Sequence, residues 1–358
     1  MKRIVFYLPS LAPAGGIERV VTSIINNLCD SFEITILTKD SEDSFYTINS
    51  KIKHDNLNSY ISLDMKSKVR RFFSQLKMVY SSSIRLSKYL KENNFDYIYV
   101  THPISHFELL LAGVNSNNII ISEHGASNNY NSVYRLIRKL TYKKCKYYCV
   151  PTKYDCEYYN KLGFPVIYTP HYRPDLNYQQ ADLDSKIVLN IGRFTDDKKQ
   201  LRLLKIWNEI DSSIRSGWIL KIVGYGELLN DLENFIKDNK LSESVFLLKP
   251  RKDIEFFYKN AAIFALSSRS EGFGMVLLEA AGFGLPLISF NCPSGPRDII
   301  NNNNGFLIEN DSDELYRKNL IRMMEDRNML ETLSQGSKQL CLDWSNEKIN
   351  EIWMKIFK

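Results

Sequence analysis

Two carboxylates with seven residues between them are the first candidates for binding chemistry. Glu271 is followed at once by Gly272, Phe273 and Gly274, and a run of strong helix formers leads to Glu279. Glycine lets a backbone approach a ligand closely, and a helix N-terminus directs free N–H groups and a positive dipole end toward it. The stretch therefore predicts a loop-to-helix turn that holds a polyhydroxylated or anionic ligand. The alternative is an exposed helix with two surface glutamates and a turn glycine.

A second glycine-containing turn lies near the start of the chain. A β-branched and aromatic run at 4–8 predicts a buried strand, Gly15 and Gly16 follow it, and a helix is predicted over 20–28. A strand, a Gly-Gly loop and a helix can cradle a phosphate group, although a plain turn that needs one glycine is the alternative. The turn lacks the Gly-x-Gly-x-x-Gly fingerprint, which argues against a nicotinamide oxidoreductase.

Further polar groups follow predicted strands, where open α/β sheets bind their ligands. His124 comes after a strand at 118–122 and could bind substrate or move protons, or it could be a satisfied structural histidine. In the second half, such turns supply Gly192, Arg193, Lys198, Gly224 and Gly226. Asp196 and Asp197 stand beside two lysines, so a solvated turn is favoured there over a metal site.

Strands alternate with helices in both halves, which predicts two parallel α/β sheets. A chain of 358 residues exceeds one ordinary core, and the proline-containing, weakly patterned segment 169–185 is the best boundary. We predict domains at 1–172 and 173–340. A last helix within 341–358 carries the stripe Ile349, Ile352, Trp353 and Ile356, which needs a covering surface.

Composition limits the possible partners. The net charge of +6 suits anionic ligands or an anionic membrane surface, but no concentrated basic block predicts nucleic-acid binding. Six cysteines without a Cys-x-x-Cys pair predict free thiols and a reducing cytoplasm. No apolar run is long enough for a signal peptide or a membrane span. Residues 66–91 and 134–146 predict basic helices, either packed on the core with a solvated face or forming a surface for an anionic bilayer.

Taken together, the motifs resemble one family. They are Gly15-Gly16-x-Glu18-Arg19, Gly192-Arg193-Phe194 with Lys198, Gly224-x-Gly226, Glu271-x7-Glu279 and Pro293-Ser294-Gly295-Pro296-Arg297. In this order and spacing the chain resembles the retaining glycosyltransferases of family four, over essentially its whole length. The loop at 292–296 and the tripeptide at 123–125 are similar to those of bacterial enzymes that build O-antigens, capsules and exopolysaccharides.

The resemblance implies a GT-B fold, with two Rossmann-like α/β domains facing each other across a cleft and the last helix crossing back to the N-terminal domain. The N-terminal domain would bind the acceptor, and the C-terminal domain the nucleotide-sugar. It further implies a role for each motif residue. Arg193 and Lys198 would neutralise the diphosphate with help from the Gly15-Gly16 loop, and Glu271 would bind the sugar hydroxyls beside backbone N–H groups of Gly272, Phe273 and Gly274. Glu279 would hold the ribose, Gly192, Gly224 and Gly226 would contact the donor, and His124 would lie near the transferred sugar or the acceptor hydroxyl.

The implied reaction is metal-independent, retaining transfer of a hexose or N-acetylhexosamine from a UDP-sugar to an undecaprenyl-diphosphate-linked saccharide. The implied location is cytoplasmic, peripheral on the inner face of the plasma membrane. The alternatives are a non-catalytic nucleotide-sugar-binding protein and a GT-B nucleotide-sugar epimerase. One departure matters: family members commonly carry Lys-Gly where this chain has Lys198-Lys199, so either lysine could contact the diphosphate, and Lys198 fits the spacing better.

Overall fold

A computed structural model describes residues 1–13, 15–60, 67–125 and 132–358. Over these residues the chain forms two compact units, Met1–Tyr172 with Asn346–Lys358 (unit 1) and Arg173–Ser345 (unit 2). The division after residue 172 coincides with the predicted boundary. The last segment was predicted to start at 341; in the structure, 341–343 end a helix, Arg327–Asp343, that packs within unit 2, and unit 1 resumes at Asn346.

Unit 1 is built on a parallel sheet. Its strands are β1 (Arg3–Leu8), β2 (Glu33–Thr38), β3 (Lys53–Asn56), β4 (Tyr97–Val100), β5 (Ile119–Ser122), β6 (Tyr147–Val150) and β7 (Val166–Tyr168). They lie in the order β3-β2-β1-β4-β5-β6-β7, and every pair is parallel. The helices before the boundary are α1 (Gly16–Leu28), α2 (Lys68–Glu92), α3 (Pro103–Leu111), α4 (Ser132–Thr141) and α5 (Lys153–Lys161), with short 3-10 turns at Ser116–Asn118 and Tyr142–Lys144.

Unit 2 repeats this architecture. Its strands are β8 (Ile187–Ile191), β9 (Ile219–Val223), β10 (Val245–Leu248), β11 (Ile263–Leu266), β12 (Leu287–Phe290) and β13 (Gly305–Ile308), in the parallel order β10-β9-β8-β11-β12-β13. Its helices are α6 (Gln200–Asn208), α7 (Ser212–Arg215), α8 (Leu229–Asp238), α9 (Glu255–Lys259), α10 (Met275–Gly282), α11 (Pro296–Ile299), α12 (Asp313–Glu325) and α13 (Arg327–Asp343). Both units are Rossmann-like α/β domains, as predicted.

The central strands are buried on both faces, which is the usual state of a parallel sheet covered by helices. All four residues of β4, β5, β11 and β12 are buried. In unit 2 the apolar side chains form one core on each side of the sheet, and Trp207 lies in the first of these. The strands predicted at 4–8 and 118–122 are present, each with one end shifted by one residue.

The last helix, α14 (Asn346–Ile356), belongs to unit 1, as predicted. Ile349, Trp353 and Ile356 of its apolar stripe are buried. The Trp353 ring lies 6.0 Å from the ring of Tyr99 on β4, and Phe357 packs edge-on to Phe32 at 5.5 Å. The apolar stripe of α14 is therefore covered by aromatic residues of unit 1, including Tyr99.

Unit 1 also buries two charged networks. The Lys39 ammonium lies 2.6 Å from Oε2 of Glu108, and the Tyr7 hydroxyl donates to the same oxygen at 2.8 Å. The Arg138 guanidinium donates to Oε2 of Glu123 at 2.8 Å. Buried charges of this kind are tolerated because each has a partner of opposite sign. The networks tie α3 and α4 to residues at the strand ends.

Four helices, α3, α7, α11 and α13, were not predicted from the sequence; α7 and α11 are only four residues long. In α2, the apolar residues at helical spacing divide between the two predicted alternatives. Leu86 is buried with Ser82 on the core side, whereas Phe73, Leu76 and Tyr80 are exposed.

None of the helices within the described residues is both long and apolar enough to cross a bilayer. The six cysteines are free thiols; five are buried and Cys156 is half-buried.

Candidate functional site

The centre of the candidate site in unit 2 is an ion pair between two loops. Lys198 lies in the loop after β8, and Glu271 lies in the loop after β11, which is the neighbouring parallel strand. The Lys198 ammonium donates to both carboxylate oxygens of Glu271, at 2.6 and 2.8 Å. Parallel strands bring their carboxyl ends to one edge of a sheet, so the topology places these two side chains together although they are 73 positions apart in the sequence.

Neighbouring groups hold this pair in position. The Ser268 hydroxyl donates to Oε1 of Glu271 at 2.5 Å, and the Ser267 hydroxyl donates to the backbone carbonyl of Lys198 at 2.9 Å. The backbone N–H of Arg269 donates to the carbonyl of Asp197 at 2.8 Å. Each oxygen of the carboxylate is therefore already engaged, and the two loops are joined by backbone as well as side-chain bonds.

The two consecutive lysines have different surroundings. Lys199 has φ of +51°, in the left-handed region, and its ammonium pairs with Asp196 at 2.5 Å. Glycine adopts the left-handed conformation without strain, so the backbone at position 199 would suit glycine better than lysine. Because Lys199 is turned to Asp196, Lys198 is the lysine that meets Glu271. Asp197 pairs with Arg269 at 2.7 Å, so both aspartates are in ion pairs, as a solvated turn would have them.

The remaining cation of the predicted set, Arg193, is exposed. Its backbone carbonyl accepts a hydrogen bond from the buried Gln200 amide at 2.9 Å, which fixes the turn that carries it. No ion pair is seen for the Arg193 guanidinium among the described residues. The structure therefore places Arg193 on the same loop as Lys198, but it does not bring Arg193 onto the Lys198–Glu271 pair.

The glycines after β9 are required by packing. A Cβ on Gly224 would lie 2.0 Å from the carbonyl oxygen of Gly192, and a Cβ on Gly226 would lie 2.4 Å from that of Phe194. The turn after β9 consequently lies directly against the turn after β8, and the Phe194 N–H donates to the Tyr225 carbonyl at 2.8 Å. Gly192 has only ordinary contacts at the equivalent point.

The loop-to-helix turn after Glu271 is present as predicted. Gly274 has φ of +86° and caps α10 in the left-handed conformation, a position that suits glycine. The Phe273 side chain is buried, with its ring 5.5 Å from that of Trp344, so only its backbone is left for a ligand. A Cβ on Gly295 would lie 2.2 Å from the Phe273 carbonyl, which shows that the 293–297 loop packs directly on this turn.

Glu279 lies on α10 and is buried. Its Oε2 accepts a hydrogen bond from the Tyr258 hydroxyl at 2.8 Å. The buried thiol of Cys292 is close to Glu271; burial, and then the charge of that carboxylate, raises the pKa of Cys292 to about 12. The thiol is therefore uncharged at neutral pH.

In unit 1, the Gly15-Gly16 turn forms the start of α1, with Gly15 as the capping residue. A Cβ on Gly15 would come within 2.0 Å of a carboxylate oxygen of Glu18, because the Glu18 side chain folds back over the turn. Gly16 has open space at its Cα. Ala14 lies outside the described residues.

His124 follows β5, as predicted, and both of its ring nitrogens have protein partners. Nε2 lies 3.2 Å from the Tyr99 hydroxyl, and Nδ1 lies 2.9 Å from Nε2 of His171. Burial lowers the pKa of His124 to about 4, and burial together with His124 lowers the pKa of His171 well below its usual value. Both rings are neutral at pH 7. The geometry fits the structural alternative for His124 better than a free proton acceptor.

No three His, Cys, Asp or Glu side chains come together in a way that could hold a metal ion, within the parts of the chain that the structure describes.

Two family models match the chain in succession. The model described as Glycosyltransferase Family 4 matches residues 14–191, and that described as Glycosyl transferases group 1 matches residues 175–340. The chain belongs to the GT-B glycosyltransferases.

Relatives of this glycosyltransferase match most or all of its length. It is 25% identical to the amylovoran biosynthesis glycosyltransferase AmsD of Erwinia amylovora, over 99% of each chain. It is 26% identical to a GalNAc-alpha-(1->4)-GalNAc-alpha-(1->3)-diNAcBac-PP-undecaprenol alpha-1,4-N-acetyl-D-galactosaminyltransferase of Campylobacter jejuni, over 99% of this chain and 98% of the relative. A third relative, from Escherichia coli, is a UDP-Gal:alpha-D-GlcNAc-diphosphoundecaprenol alpha-1,3-galactosyltransferase, 27% identical over 76% of this chain and 79% of its own.

Solved structures share the fold. A point mutant of S. aureus TarM in complex with fondaparinux, alpha-GlcNAc-glycerol and UDP has a TM-score of 0.79 with 14% identity, over 100% of both chains. Sucrose-phosphate synthase from Thermosynechococcus elongatus has a TM-score of 0.81 with 16% identity, over 100% of this chain and 99% of that one. At these identities the likeness concerns the fold alone.

Several residues of the glycosyltransferase that contact the predicted site were not foreseen. Ser268 donates a hydrogen bond to Glu271, and the Cys292 thiol lies close enough to Glu271 to feel its charge. Tyr258 donates a hydrogen bond to Glu279. His171 and Tyr99 are the hydrogen-bond partners of His124. Ser268 is three residues from its partner and could have been found by proximity. His171 lies 47 positions beyond His124, and no local pattern connects the two.

Proposed function

We propose that this glycosyltransferase moves a hexose or N-acetylhexosamine from a UDP-sugar to an undecaprenyl-diphosphate-linked saccharide, with retention of anomeric configuration. The product would be a longer lipid-linked saccharide for a bacterial surface polysaccharide, such as an O-antigen of lipopolysaccharide, a capsule or an exopolysaccharide. The observation that carries the proposal is the Lys198–Glu271 pair, which lies beside the N-terminus of α10 at the carboxyl ends of β8 and β11.

This pair suits a sugar diphosphate. A carboxylate that already accepts from Lys198 and Ser268 is fixed in direction, and its one remaining acceptor position, on Oε2, can accept from a sugar hydroxyl. Lys198 and Arg193 supply positive charge for the diphosphate. The α10 N-terminus adds backbone N–H groups, which stabilise an anion without reorganisation. Glu279, held by Tyr258, would accept from the ribose hydroxyls.

The proposed reaction needs charge stabilisation at the leaving group. The acceptor hydroxyl oxygen bonds to the anomeric carbon on the face from which the diphosphate departs. The bond from that carbon to the β-phosphate oxygen breaks, and the hydroxyl proton passes to that oxygen. Lys198 and Arg193 would stabilise the charge that develops on UDP. No carboxylate is assigned as a nucleophile, because Glu271 is occupied by an ammonium and a hydroxyl and is better suited to positioning. No metal ion is assigned to the reaction.

Relatives support the choice of substrates. The Campylobacter relative is named for a substrate linked to undecaprenol through a diphosphate, and the Escherichia coli relative for both a UDP-sugar and a diphosphoundecaprenol acceptor. TarM, which shares the fold, is described in complex with UDP. An undecaprenyl acceptor would keep the reaction at a membrane, and nucleotide-sugars would place it on the cytoplasmic, inner face of the plasma membrane.

The proposal is tested by a donor screen. The purified protein is incubated with a purified undecaprenyl-diphosphate-linked saccharide as acceptor. The donors are UDP- and GDP-linked hexoses and N-acetylhexosamines, each tested with and without EDTA. The masses of the products are measured by mass spectrometry. We expect one UDP-sugar to give an acceptor product one sugar heavier, with the same yield in EDTA. The anomeric configuration is read by NMR.

Other outcomes would identify the alternatives. Conversion of the UDP-sugar into an epimeric UDP-sugar, with no change in acceptor mass, would indicate an epimerase. Binding of UDP-sugar in calorimetry with no turnover on any acceptor would indicate a non-catalytic binding protein. An inverted linkage in the product would contradict the retaining mechanism.

A further inference from the structure

A buried serine in the loop after β11 engages one oxygen of the Glu271 carboxylate. Ser268 is 0% exposed, and its hydroxyl lies 2.5 Å from Oε1 of Glu271. A carboxylate paired with an ammonium has lone pairs and no proton to give, so the serine hydroxyl is the donor. Because the Ser268 side chain is shielded from solvent, any effect that it has on a ligand passes through Glu271.

The hydrogen bonds of Glu271 leave one acceptor position open. The two oxygens of a carboxylate have about four lone-pair positions in all. Oε1 accepts from Lys198 at 2.6 Å and from Ser268, and Oε2 accepts from Lys198 at 2.8 Å. Among the residues that the structure describes, these are the hydrogen bonds of the carboxylate, and the open position is therefore on Oε2.

The Lys198 ammonium is used in a similar way. An ammonium has three N–H donors, and its two bonds to Glu271 leave one donor for a ligand. The ion pair thus offers a ligand one donor and one acceptor. This combination can bind one hydroxyl group and one phosphate or hydroxyl oxygen at the same time.

Ser268 determines which acceptor position of Glu271 stays open. Without the serine hydroxyl, Oε1 would regain a free lone pair. The carboxylate would then be held by Lys198 alone, whose side chain is long and flexible. It could turn, and it could accept from a hydroxyl at either oxygen.

We propose that Ser268 is a positioning residue that sets the sugar specificity of the donor site. By filling Oε1, it makes Glu271 accept from a single hydroxyl of the transferred sugar. A sugar that lacks this hydroxyl, or an epimer that directs it elsewhere, leaves the open position on Oε2 unfilled and is rejected. The inference rests on the proposed function, because it names the part of the donor that Glu271 binds.

The test uses donors that each lack one hydroxyl of the sugar that the wild type transfers. For each donor, kcat/KM relative to the complete donor is measured in the wild type and in Glu271→Ala. Loss of the hydroxyl bound by Glu271 should lower kcat/KM about 10²-fold in the wild type and leave it unchanged in Glu271→Ala. The intrinsic reactivity of each donor cancels in this comparison. We expect one hydroxyl alone to behave in this way.

The variant Ser268→Ala should relax this selection. We expect kcat/KM for the complete donor to fall about tenfold, and discrimination at the selected hydroxyl to fall from about 10²-fold to about tenfold. In the Glu271→Ala background, Ser268→Ala should cause no further loss, because the serine acts through the carboxylate. Ser268→Thr keeps the hydroxyl and should restore the discrimination. Unfolding midpoints are measured for every variant.

A matched control is Ser337→Ala in α13. Ser337 is also 0% exposed, and its hydroxyl donates to the carbonyl of Leu285 at 2.7 Å. Leu285 precedes β12, so this bond lies at the amino end of the strand, at the edge of the sheet opposite the candidate site. We expect wild-type kcat/KM and wild-type discrimination, with any loss confined to the unfolding midpoint.

Several results would overturn the inference. They are two hydroxyls, or none, whose removal depends on Glu271, and a further tenfold loss from Ser268→Ala in the Glu271→Ala background. Unchanged discrimination in Ser268→Ala would also overturn it, even if the unfolding midpoint falls. In each of these cases the wild type still transfers sugar and the proposed function stands. Absence of transfer by the wild type from every donor would instead refute the proposed function and this inference with it.

Discussion

Each unit contains a lysine–glutamate pair with a closest contact of 2.6 Å, and the two pairs differ in their access to solvent. In unit 2, the side chains of Lys198 and Glu271 are 22% and 8% exposed. In unit 1, those of Lys39 and Glu108 are 4% and 0% exposed. A ligand can contact the Lys198 and Glu271 side chains, whereas the Lys39 and Glu108 side chains are inaccessible to a ligand because the fold buries them. Exposure, rather than the contact distance, separates a pair suited to binding from one suited to stability.

The largest expected effect concerns the accessible pair. Lys198→Ala and Glu271→Ala should each reduce sugar transfer by about 10²- to 10³-fold, because removing one charge-stabilising group from an active site has this effect. Steady-state transfer rates, with unfolding midpoints measured in urea, check the prediction. The control is Lys199→Ala, which removes the adjacent lysine that pairs with Asp196 and should change the rate by only a few-fold. Wild-type rates in the Glu271→Ala variant would refute its role.

Changes to the buried Lys39–Glu108 pair should alter the stability of the fold. Lys39→Met leaves the Glu108 carboxylate buried without its cation, which should lower the free energy of unfolding by about 3–5 kcal/mol. Urea denaturation measures the change. Lys39→Met/Glu108→Leu should recover much of the loss, because both charges are then absent. Lys51→Met, which breaks an exposed ion pair with Asp30, should have no measurable effect. A decrease of less than about 1 kcal/mol in the free energy of unfolding of Lys39→Met would show that Glu108 is not left buried as an unpaired charge.

Acid should weaken unit 1 before unit 2. All five histidines of the chain lie in unit 1, and burial lowers the pKa of His124 to about 4. The unfolded state takes up a proton near pH 6.5 and the folded state only near pH 4, so stability is full above 6.5 and falls as pH decreases through this window. From about pH 7 to about pH 5, His124 alone should remove up to about 2 kcal/mol. Hydrogen exchange at the two pH values, mapped by mass spectrometry, should show unit 1 opening first; equal loss of protection in unit 2 would contradict this.

The smallest expected effect concerns the left-handed residue of unit 2. Lys199→Gly relieves a backbone conformation that non-glycine residues adopt at a cost, and should raise the free energy of unfolding by about 0.5–1 kcal/mol. Lys205→Gly, within the short helix α6 that Lys199 precedes, should lower the free energy of unfolding by about 1 kcal/mol. Both are read from urea denaturation. A loss of stability in Lys199→Gly would show that its ion pair with Asp196 outweighs the strain.

Much of the fold could be predicted from the sequence, because buried parallel strands are short apolar runs that glycine, proline and polar turns interrupt. Helix α13 was not predicted, and its buried side mixes Leu330 and Leu333 with Ser334 and Ser337. Gly336 on this helix comes so close to the backbone at 303 that a Cβ would lie 1.9 Å from a carbonyl oxygen. Small residues that permit close packing weaken the hydrophobic periodicity of a helix.

The residues of the candidate site that belong to one sequence motif could be predicted. Contacts between residues that are far apart in the sequence could be predicted less well. Glu271, the glycines after it and Lys198 follow from spacing, and the structure adds the ion pair that joins Lys198 to Glu271. The partner of His124 could not be predicted, because His171 reaches it only through the pairing of strands in the sheet. Helix α2 shows the opposite limit. The helical spacing of its apolar residues could be recognised in the sequence, but the spacing could not tell which of these residues face the core and which face solvent.

Unit 1 is assembled from two stretches of sequence, and unit 2 lies wholly between them. During translation the ribosome therefore completes 173–345 before it makes α14. Unit 2 has all its strands at that moment, whereas the side of unit 1 against which Trp353 and Phe357 pack is still uncovered. The second half of the polypeptide can thus finish folding before the first, and Tyr99 and Phe32 acquire their packing partners only when the final helix emerges.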